Sequence, residues 1–541
     1  MTTGRLSACL RSPIWQAVGV VLAVMVVAAL NRQSDGLWFQ GDAPRHAING
    51  LFWWDLLKAW PRDPVGFAVS YYARYPVIAP ATYPPLFYLV EGLAFAALGP
   101  SPYTARFIVL LCAVAAGLYT MAWGRRWIDP LAGWAGAFLA FTPGMALWSN
   151  AVMLNIPATA AGLASLYHFR RWLETAQRSQ LALTVLVVTA ALLTYYPSAS
   201  VLPVLAAWAL LHVRSLRLDR NFLWVAAAGL IAMVPLLVAL RLAPVHTSRH
   251  LPTLAFLSTP GTLTYYWLVL PNVIGGAALA LGLVGGVTGL VSRRWRANAT
   301  YLVIWIAVLI AGLSLLPARD PRYVLLAAPA FVLAGAIGAI AIVQSPALRH
   351  PAWHAAMLTA GLSAGLWSAA GIRVPQVSGF RELAAYLRDT APADAVLYDG
   401  DYDGAFGFYV RALDPMYERR IVLADKSLYQ YGPSTTFGPA QTSTVTTPED
   451  VVRLLHLRCG CRWVAIEVSR RSNLPFRQRL LRQAVKGSDF ELVRSFPIGG
   501  AGERRVDLYR VVGAVATVDT MDLTFPSYSE RAFLHVAPIA R

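Results

Sequence analysis

Long apolar stretches, separated by short polar ones, fill the first two thirds of the chain. Most have the length and the low charge of a membrane-crossing helix, which needs about 20 apolar residues. The predicted spans are 13–30, 103–124, 131–149, 156–169, 181–196, 198–213, 221–240, 273–292, 299–317, 323–343 and 353–372. The pattern therefore predicts a polytopic α-helical membrane protein with about eleven transmembrane helices.

Clusters of arginine between the spans indicate the topology. Because short basic loops remain in the cytoplasm, these clusters place the N-terminus inside and the C-terminus outside. Residues 84–99 are apolar as well, but they are few, begin with two prolines and contain Glu91. A full crossing there would move Arg125 and Arg126 outside, so this stretch is interpreted as an interfacial or re-entrant helix.

The chain then divides into a transmembrane domain, residues 1–372, and a polar tail, residues 373–541. Residues 31–102 form the first external loop of the transmembrane domain, with interfacial helices. The tail alternates between the two periodicities, with helical patterns at 380–388 and 476–485 and strand patterns at 395–398, 420–423, 463–468, 489–495 and 506–512. It is predicted to be a soluble α/β domain outside the cytoplasm.

Charge separates the two parts further. Residues 1–372 carry 24 Lys and Arg against nine Asp and Glu, whereas residues 373–541 carry 22 against 19. Positive-inside topology accounts for the basic excess, so the expected surroundings are membrane lipids and no nucleic-acid partner is expected. Cys459 and Cys461 indicate a metal site only weakly, because no second pair of ligands accompanies them. The alternatives are two half-buried thiols or one strained disulfide.

The first external loop concentrates the residues that could carry chemistry. Asp42 is a rare carboxylate that directly follows the first span, where a general base at the water–lipid boundary would stand. His46, four residues later, would share a helical face with it, and Arg45 lies beside both. Arg74 and Tyr83 stand among aromatic residues. An anchoring role at the lipid headgroups and a binding role both remain open for these aromatics.

Three stretches of the sequence carry a resemblance. They are Gly-Asp-Ala-Pro-Arg-His-Ala-Ile-Asn-Gly from residue 41, Tyr-Pro-Pro-Leu-Phe-Tyr-Leu-Val-Glu from residue 83, and Tyr-Thr-Ala-Arg-Phe from residue 103. This pattern resembles the GT-C superfamily of membrane glycosyltransferases, and most of all its protein O-mannosyltransferase-like and aminoarabinose-transferase-like branch, glycosyltransferase family 39. The resemblance implies a GT-C-like catalytic domain, a polyprenyl-phosphate sugar donor and a catalytic role for Asp42. The family commonly has Asp-Glu at this point, whereas Ala43 replaces the Glu here.

Two further positions match the family. Asn155 stands where many relatives carry an Asp; it can hydrogen-bond an acceptor but cannot act as an anionic ligand. Arg319, Arg322 and Tyr323 match an Arg-Tyr pair, and the guanidinium fork suits a lipid phosphate. The predicted substrate-binding residues are therefore Arg45, His46, Arg74, Tyr83, Asn155, Arg319, Arg322 and Tyr323. No cofactor and no metal-binding residue is expected, and a divalent metal would bind only weakly to a single carboxylate.

The predicted function is transfer of a sugar from a polyprenyl-phosphate-linked donor to a hydroxyl of a lipid, a protein or a surface glycan. The expected place is the outer face of the bacterial cytoplasmic (inner) membrane, with the tail in the periplasm. Two alternatives remain at this point: a ligase or polymerase that uses polyprenyl-pyrophosphate oligosaccharides, and a transporter of lipid-linked glycans, which would place ionisable residues inside its spans. The sequence leaves the sugar, the acceptor and the role of the tail open.

Overall fold

The computed structural model of the 541-residue chain describes most of the sequence. The described residues are 3–31, 36–38, 42–79, 83–212, 264–316, 319–344, 350–391, 393–435, 438–443, 445–468, 476–500 and 504–516, with single positions or pairs at 227, 231, 234, 348, 518, 523–524 and 533–534.

Helices and strands are numbered in chain order. Up to residue 192 they are α1 (Thr3–Arg11), α2 (Pro13–Leu30), β1 (Leu37–Trp38), α3 (Asp42–Ala59), α4 (Pro64–Arg74), α5 (Leu86–Leu98), α6 (Pro102–Trp127), α7 (Ala135–Ala140), α8 (Pro143–Trp148), α9 (Asn155–Thr175) and α10 (Arg178–Leu192). Up to residue 370 they are α11 (Val201–Leu211), α12 (Tyr265–Ile274), α13 (Gly276–Val291), α14 (Arg296–Ser314), α15 (Ala328–Val343) and α16 (Pro351–Ala370). Short 3₁₀ segments precede α7, α11 and α15 at Pro130–Trp134, Tyr196–Ser200 and Pro321–Ala327.

The tail contains β2 (Gln376–Val377), α17 (Phe380–Thr390), β3 (Ala395–Asp399), α18 (Asp403–Ala412), β4 (Ile421–Leu423), α19 (Ala424–Ser427), β5 (Tyr429–Thr435), β6 (Gly438–Ser443), α20 (Pro448–Arg453), β7 (Cys461–Val468), α21 (Phe476–Ala484), β8 (Phe490–Ile498), β9 (Arg504–Val511), β10 (Leu523–Thr524) and β11 (Phe533–Leu534). A π-helical turn, Leu454–Cys459, lies between α20 and β7.

Four helical segments are long and apolar enough to cross a membrane, counted over the described ranges: α2, α6, α14 and the continuous stretch Pro321–Val343. Helices α12 and α13 pass the same criterion together, but the chain bends by 112° between them. Gly275, with a φ of +90°, permits that bend. The predicted class of multi-pass helical membrane protein is thus confirmed. The predicted number of about eleven spans is not reached by length and composition, because several apolar helices are short and span 221–240 lies almost wholly outside the described residues.

Contacts between Cα atoms divide the chain into two compact units. The first contains residues 1–32, 106–240 and 247–374. At its centre Trp123 is fully buried and packs on Trp208 and Trp305, with ring centroids 5.8 and 5.9 Å apart. Helices α13 and α15 cross so closely that a Cβ on Gly285 would lie 1.9 Å from the carbonyl oxygen of Ala334. Small residues at such a crossing are typical of helix packing in membranes.

The second unit contains residues 33–105, 241–246 and 375–541, so the predicted first external loop packs with the tail. Strands β1 and β2 are antiparallel, with Leu37 opposite Val377. The main sheet has the order β4-β3-β7-β9-β8, in which β4, β3 and β7 are parallel and the last two pairs antiparallel. The predicted tail helices and strands all appear, and Phe380, Leu383, Ala384 and Leu387 form the buried face of α17. The sequence patterns did not predict α18, because Gly404 and Gly407 lower its helix propensity.

A buried polar network joins helices α3 and α4 to the tail within this unit. Asp55 of α3 accepts hydrogen bonds on one oxygen from Arg411 of α18, at 2.5 and 2.9 Å, and from Tyr71 of α4, at 2.8 Å. Tyr75 donates to Asp414 at 2.9 Å. Helix α5, the predicted interfacial helix, has 13 residues and is therefore too short to cross a membrane unaided.

Candidate active site

Asp42 begins helix α3, and its side chain is half-buried. A carboxylate in the first helical turn is stabilised by the unpaired N–H groups and by the positive end of the helix dipole. Arg45 and His46 follow within the next turn, on the same side of the helix. The structure therefore brings these three predicted residues together.

His46 is held in a defined orientation by two tyrosines at and just after residue 83. Its Nδ1 lies 2.7 Å from the hydroxyl of Tyr88, and its ring lies 5.1 Å from that of Tyr83 between centroids. Tyr88 is fully buried, and burial raises the pKa of its phenol well above the usual value, so it remains a neutral hydroxyl. Asn49 accepts a hydrogen bond from the backbone of Ala79 at 2.9 Å. His46, Tyr83 and Tyr88 thus form a rigid polar surface one turn beyond Asp42.

Arg45 is bound by the tail. Its Nη2 lies 2.9 Å from Oδ2 of Asp403, the first residue of α18. The charge of Asp403, with smaller contributions from Asp42 and Asp425, raises the pKa of Arg45 above its usual range, so the guanidinium stays charged. A Cβ on Gly404 would lie 3.0 Å from Cβ of Pro44, so α18 and α3 are in close contact here.

Glu91 of α5 is a buried carboxyl group at the crossing of α5 with α3. It is 0 % exposed, and neither side-chain oxygen has a hydrogen-bond partner among the described residues. A Cβ on Gly50 would lie 2.4 Å from Oε2 of Glu91, so only glycine fits beneath the carboxyl group. Burial raises the pKa of Glu91 well above its usual value, and the neutral acid is the form that this environment favours.

Arg74 lies apart from the Asp42 group. It ends α4, and its electrostatic neighbours are Tyr75, Asp414 and Arg420. Burial lowers the pKa of Arg74 from its usual value.

A second group of predicted residues lies in the first unit. Asn155, Arg322 and Tyr323 line one narrow recess together with Tyr195 and Ser198. Within the part of the chain that the structure describes, Oδ1 of Asn155 and Oγ of Ser198 are buried without a hydrogen-bond partner. An unpaired buried oxygen is costly, so both atoms are suited to bind a donor group that enters the recess.

Of the two predicted arginines, Arg322 lines this recess and Arg319 does not. Arg322 has its Nε 2.9 Å from Oδ2 of Asp320, and it faces the ring of Trp148 at 5.8 Å. Arg319 is half-buried, and its charge and that of Asp320 act on Tyr265. Asp320 therefore orients Arg322 beside Asn155 and Tyr323.

Sequence reasoning missed several members of these groups. Tyr88 lies within the Tyr-Pro-Pro stretch and could have been found from its spacing to Glu91 on one helix. Ser198 follows Pro197 at the start of the predicted span 198–213, which was a weak signal. Asp403 had no local signal that linked it to Arg45, 358 residues earlier.

Over the described residues, no group of three or more His, Cys, Asp or Glu side chains could hold a metal ion. All four cysteines are unpaired thiols, and both Cys459 and Cys461 are buried.

The sequence model of the family described as dolichyl-phosphate-mannose-protein mannosyltransferase matches residues 82–239. No curated protein matches the chain by sequence.

Solved structures resemble the whole chain in fold. ArnT from Cupriavidus metallidurans bound to undecaprenyl phosphate has a TM-score of 0.60 and 16% identity, and the match covers 94% of this chain and 100% of that one. Its apo form has a TM-score of 0.57 and 16% identity, with 91% and 97% covered. The oligosaccharyltransferase AglB from Archaeoglobus fulgidus, in complex with an inhibitory peptide and a dolichol-phosphate, has a TM-score of 0.54 and 12% identity, with 84% and 69% covered. These matches confirm the predicted resemblance at the level of the fold.

Proposed function

We propose that this membrane protein, a GT-C glycosyltransferase similar to the mannosyltransferases and to ArnT, transfers a sugar from a polyprenyl-phosphate donor to a hydroxyl acceptor. The family match and the fold support the enzyme class and a lipid-linked donor. The observation that carries the assignment of residues is the position of Asp42, at the N-terminus of an external helix and one turn from the fixed His46 surface.

In the proposed reaction, Asp42 acts as general base. It takes the proton of the acceptor hydroxyl while that oxygen attacks the anomeric carbon. The bond between this carbon and the phosphate oxygen breaks, its electron pair leaves with the polyprenyl phosphate, and the configuration inverts. One well-placed base contributes about 10²–10⁴ in rate.

Arg319 and Arg322 are the candidates for binding the phosphate. Positive guanidinium groups stabilise the charge that develops on a departing phosphate, and their planar fork can bind two oxygens at once. Asn155 would accept a hydrogen bond from a donor group in the same recess, because its buried Oδ1 has no partner among the described residues. No cofactor enters this scheme, and a divalent metal, if bound, would be held weakly.

We place the reaction at the outer face of the bacterial cytoplasmic membrane, with the tail in the periplasm. The arginine clusters between the spans support this orientation. The acceptor is a lipid, protein or glycan hydroxyl. The two alternatives, a pyrophosphate-dependent ligase and a glycan transporter, are not favoured by the comparisons.

The test is Asp42→Asn in the full chain, purified in detergent. The probe is the polyprenyl-phosphate-sugar fraction extracted from a deletion strain, with membranes of that strain as acceptor and released polyprenyl phosphate as the measured product. We expect a loss of about 10²-fold or more for the variant. Asp63→Asn is the matched control: Asp63 is an exposed acid that caps α4 in the same external segment, and Asn caps a helix equally well.

A rate for Asp42→Asn near that of the wild type would show that the base is another residue. Offering a polyprenyl-pyrophosphate oligosaccharide in a parallel reaction separates the ligase from the single-sugar transferase. Turnover only with the pyrophosphate substrate would replace the proposed function by the ligase.

A further inference from the structure

Arg45 occupies an unusual position for a cation. It lies in the first two turns of α3, near the helix end whose dipole repels positive charge. Its neighbour at i−3 is Asp42, the carboxylate with which a helical arginine at this spacing would ordinarily pair. An ion pair of this kind would occupy the proposed base.

The structure instead gives Arg45 a partner from the tail. Nη2 of Arg45 lies 2.9 Å from Oδ2 of Asp403, whose side chain is 13% exposed while that of Arg45 is 41% exposed. Asp403 is itself well placed as an anion, because it stands at the N-terminus of α18. Gly404 brings the backbone of α18 against Pro44 and Arg45, with a would-be Cβ at 3.0 and 3.3 Å from their side chains.

Three carboxylates act on this one guanidinium: Asp403 most strongly, then Asp42 and Asp425. The other polar groups around the turn are His46, Tyr83 and Tyr88. None of these three is a permanent anion, and Asp403 is the acid that accepts a hydrogen bond from Arg45.

We propose that Asp403 is a positioning residue for the transfer reaction: by binding Arg45 it keeps this guanidinium from pairing with Asp42 and fixes the first turn of α3. The tail thereby determines which carboxylate this guanidinium pairs with. This inference rests on the proposed role of Asp42 as general base.

The consequence of losing Asp403 follows from electrostatics. Without the carboxylate of Asp403, Arg45 would form an ion pair with Asp42. This pair would stabilise the charged form of Asp42 and make Asp42 a weaker proton acceptor. We expect Asp403→Asn to lower kcat roughly tenfold, the effect of one to two pKa units on a base of intermediate Brønsted sensitivity. KM for the donor should change little, because no donor contact is removed.

The experiment compares the full-length wild type with Asp403→Asn, Arg45→Gln and the double variant Asp403→Asn/Arg45→Gln, using the transfer assay with the extracted polyprenyl-phosphate-sugar fraction. We expect the double variant to have a higher kcat than Asp403→Asn alone, because no guanidinium remains to occupy Asp42. Asp403→Glu should retain most of the activity. Asp389→Asn, an exposed acid on α17 of the same tail, is the control for a change of charge alone.

Several outcomes would overturn the inference. One is a wild-type kcat for Asp403→Asn, and another is a double variant no faster than Asp403→Asn, which is what a purely structural ion pair predicts. Unfolding midpoints of the four proteins show whether a loss of kcat reflects misfolding, and the comparison of double and single variants stands whenever these midpoints agree. If Asp42→Asn keeps its activity, the proposed function fails first; if it is inactive and Asp403→Asn behaves as wild type, only this inference fails.

Discussion

The buried pair of Asp55 and Arg411 should be the most sensitive electrostatic contact of the second unit. Asp55 is 2% exposed and Arg411 7% exposed, so neither charge has appreciable access to water. One carboxylate oxygen accepts from Nη2 and Nε of Arg411 and from the hydroxyl of Tyr71. Replacing Asp55 by Ala removes all three bonds and leaves a guanidinium buried without its counter-ion.

The size of this effect can be bounded. Removing one partner of a buried, hydrogen-bonded ion pair costs about 3–5 kcal/mol, since the remaining charge keeps its desolvation penalty. For a unit of this size, that corresponds to a fall of roughly 6–20 °C in the unfolding midpoint. The ring of Tyr417, 4.2 Å from the guanidinium carbon of Arg411, cannot replace a carboxylate and should recover only a small part.

The assay is thermal unfolding of the full chain in detergent. Unfolding is monitored by limited proteolysis, and the fragments scored are those cut within the tail. The double variant Asp55→Leu/Arg411→Met tests the reasoning, because replacing both charges by apolar groups is often neutral or stabilising. It should be markedly more stable than Asp55→Ala. Asp389→Asn, which breaks an exposed pair, should leave the midpoint unchanged. An Asp55→Ala midpoint within about 2 °C of the wild type would refute the argument that this pair is desolvated.

Two further predictions concern the crossing of α3 and α5. Burial raises the pKa of Glu91, so its contribution to stability is complete below the unfolded value, about 4.5, and is lost as the pH rises towards the folded pKa. The stability of Glu91→Gln relative to the wild type should therefore increase between about pH 5 and 8, by at most about 1.4 kcal/mol per pH unit. Parallel curves of stability against pH for the two proteins would contradict this. Gly92→Ala should cost about 1–3 kcal/mol, because its Cβ would lie 2.9 Å from the carbonyl oxygen of Gly50. Gly286→Ala is the control, since a Cβ there meets nothing within 4 Å. Equal unfolding midpoints for the two variants would show that α3 and α5 can move apart to accommodate the methyl group.

The tail was predictable from the sequence because its elements are signalled locally. The buried positions of α17 recur at helical spacing, and the buried strand β3 is an apolar run bounded by polar residues. The local sequence pattern did not predict helix α18, where glycine residues make the packing contacts. Gly407 weakens α18 as an isolated helix, yet its missing Cβ admits Val77, whose Cγ2 would be 2.4 Å from such an atom.

The membrane helices were predicted as continuous apolar runs, but hydropathy does not register breaks in the backbone. Residues 131–149 are divided among a 3₁₀ segment, α7 and α8, and Pro143 begins α8. Similarly, Gly275 separates α12 from α13 within the predicted span 273–292. Pro and Gly are strong signals in soluble segments but weaker ones in membrane helices, where neighbouring helices satisfy the freed backbone groups.

Of the candidate site, the sequence located single residues but not their partners. Asp42 and His46 were predicted to share a face because they are four residues apart on one helix, and the structure places them so. The pairing of Arg45 with Asp403 depends on the contact of α18 with α3, which sequence spacing does not encode. The same holds for the recess that joins Asn155 to Ser198 and Arg322.

The distribution of acids explains why the segment 31–102 depends on the tail. Residues 31–102 contain five acids, and those that the structure describes are each engaged: Asp42 at the start of α3, Asp55 with Arg411, Asp63 as the cap of α4, and Glu91 in an apolar crossing that favours its neutral form. Arg45 therefore takes its counter-ion from the tail, at Asp403. A chain that keeps carboxylates scarce near lipid can still present one reactive carboxylate if the competing cations are bound elsewhere. If Asp42 is the base, as proposed, the tail takes part in the reaction, because Asp403 supplies the carboxylate that binds the neighbouring Arg45.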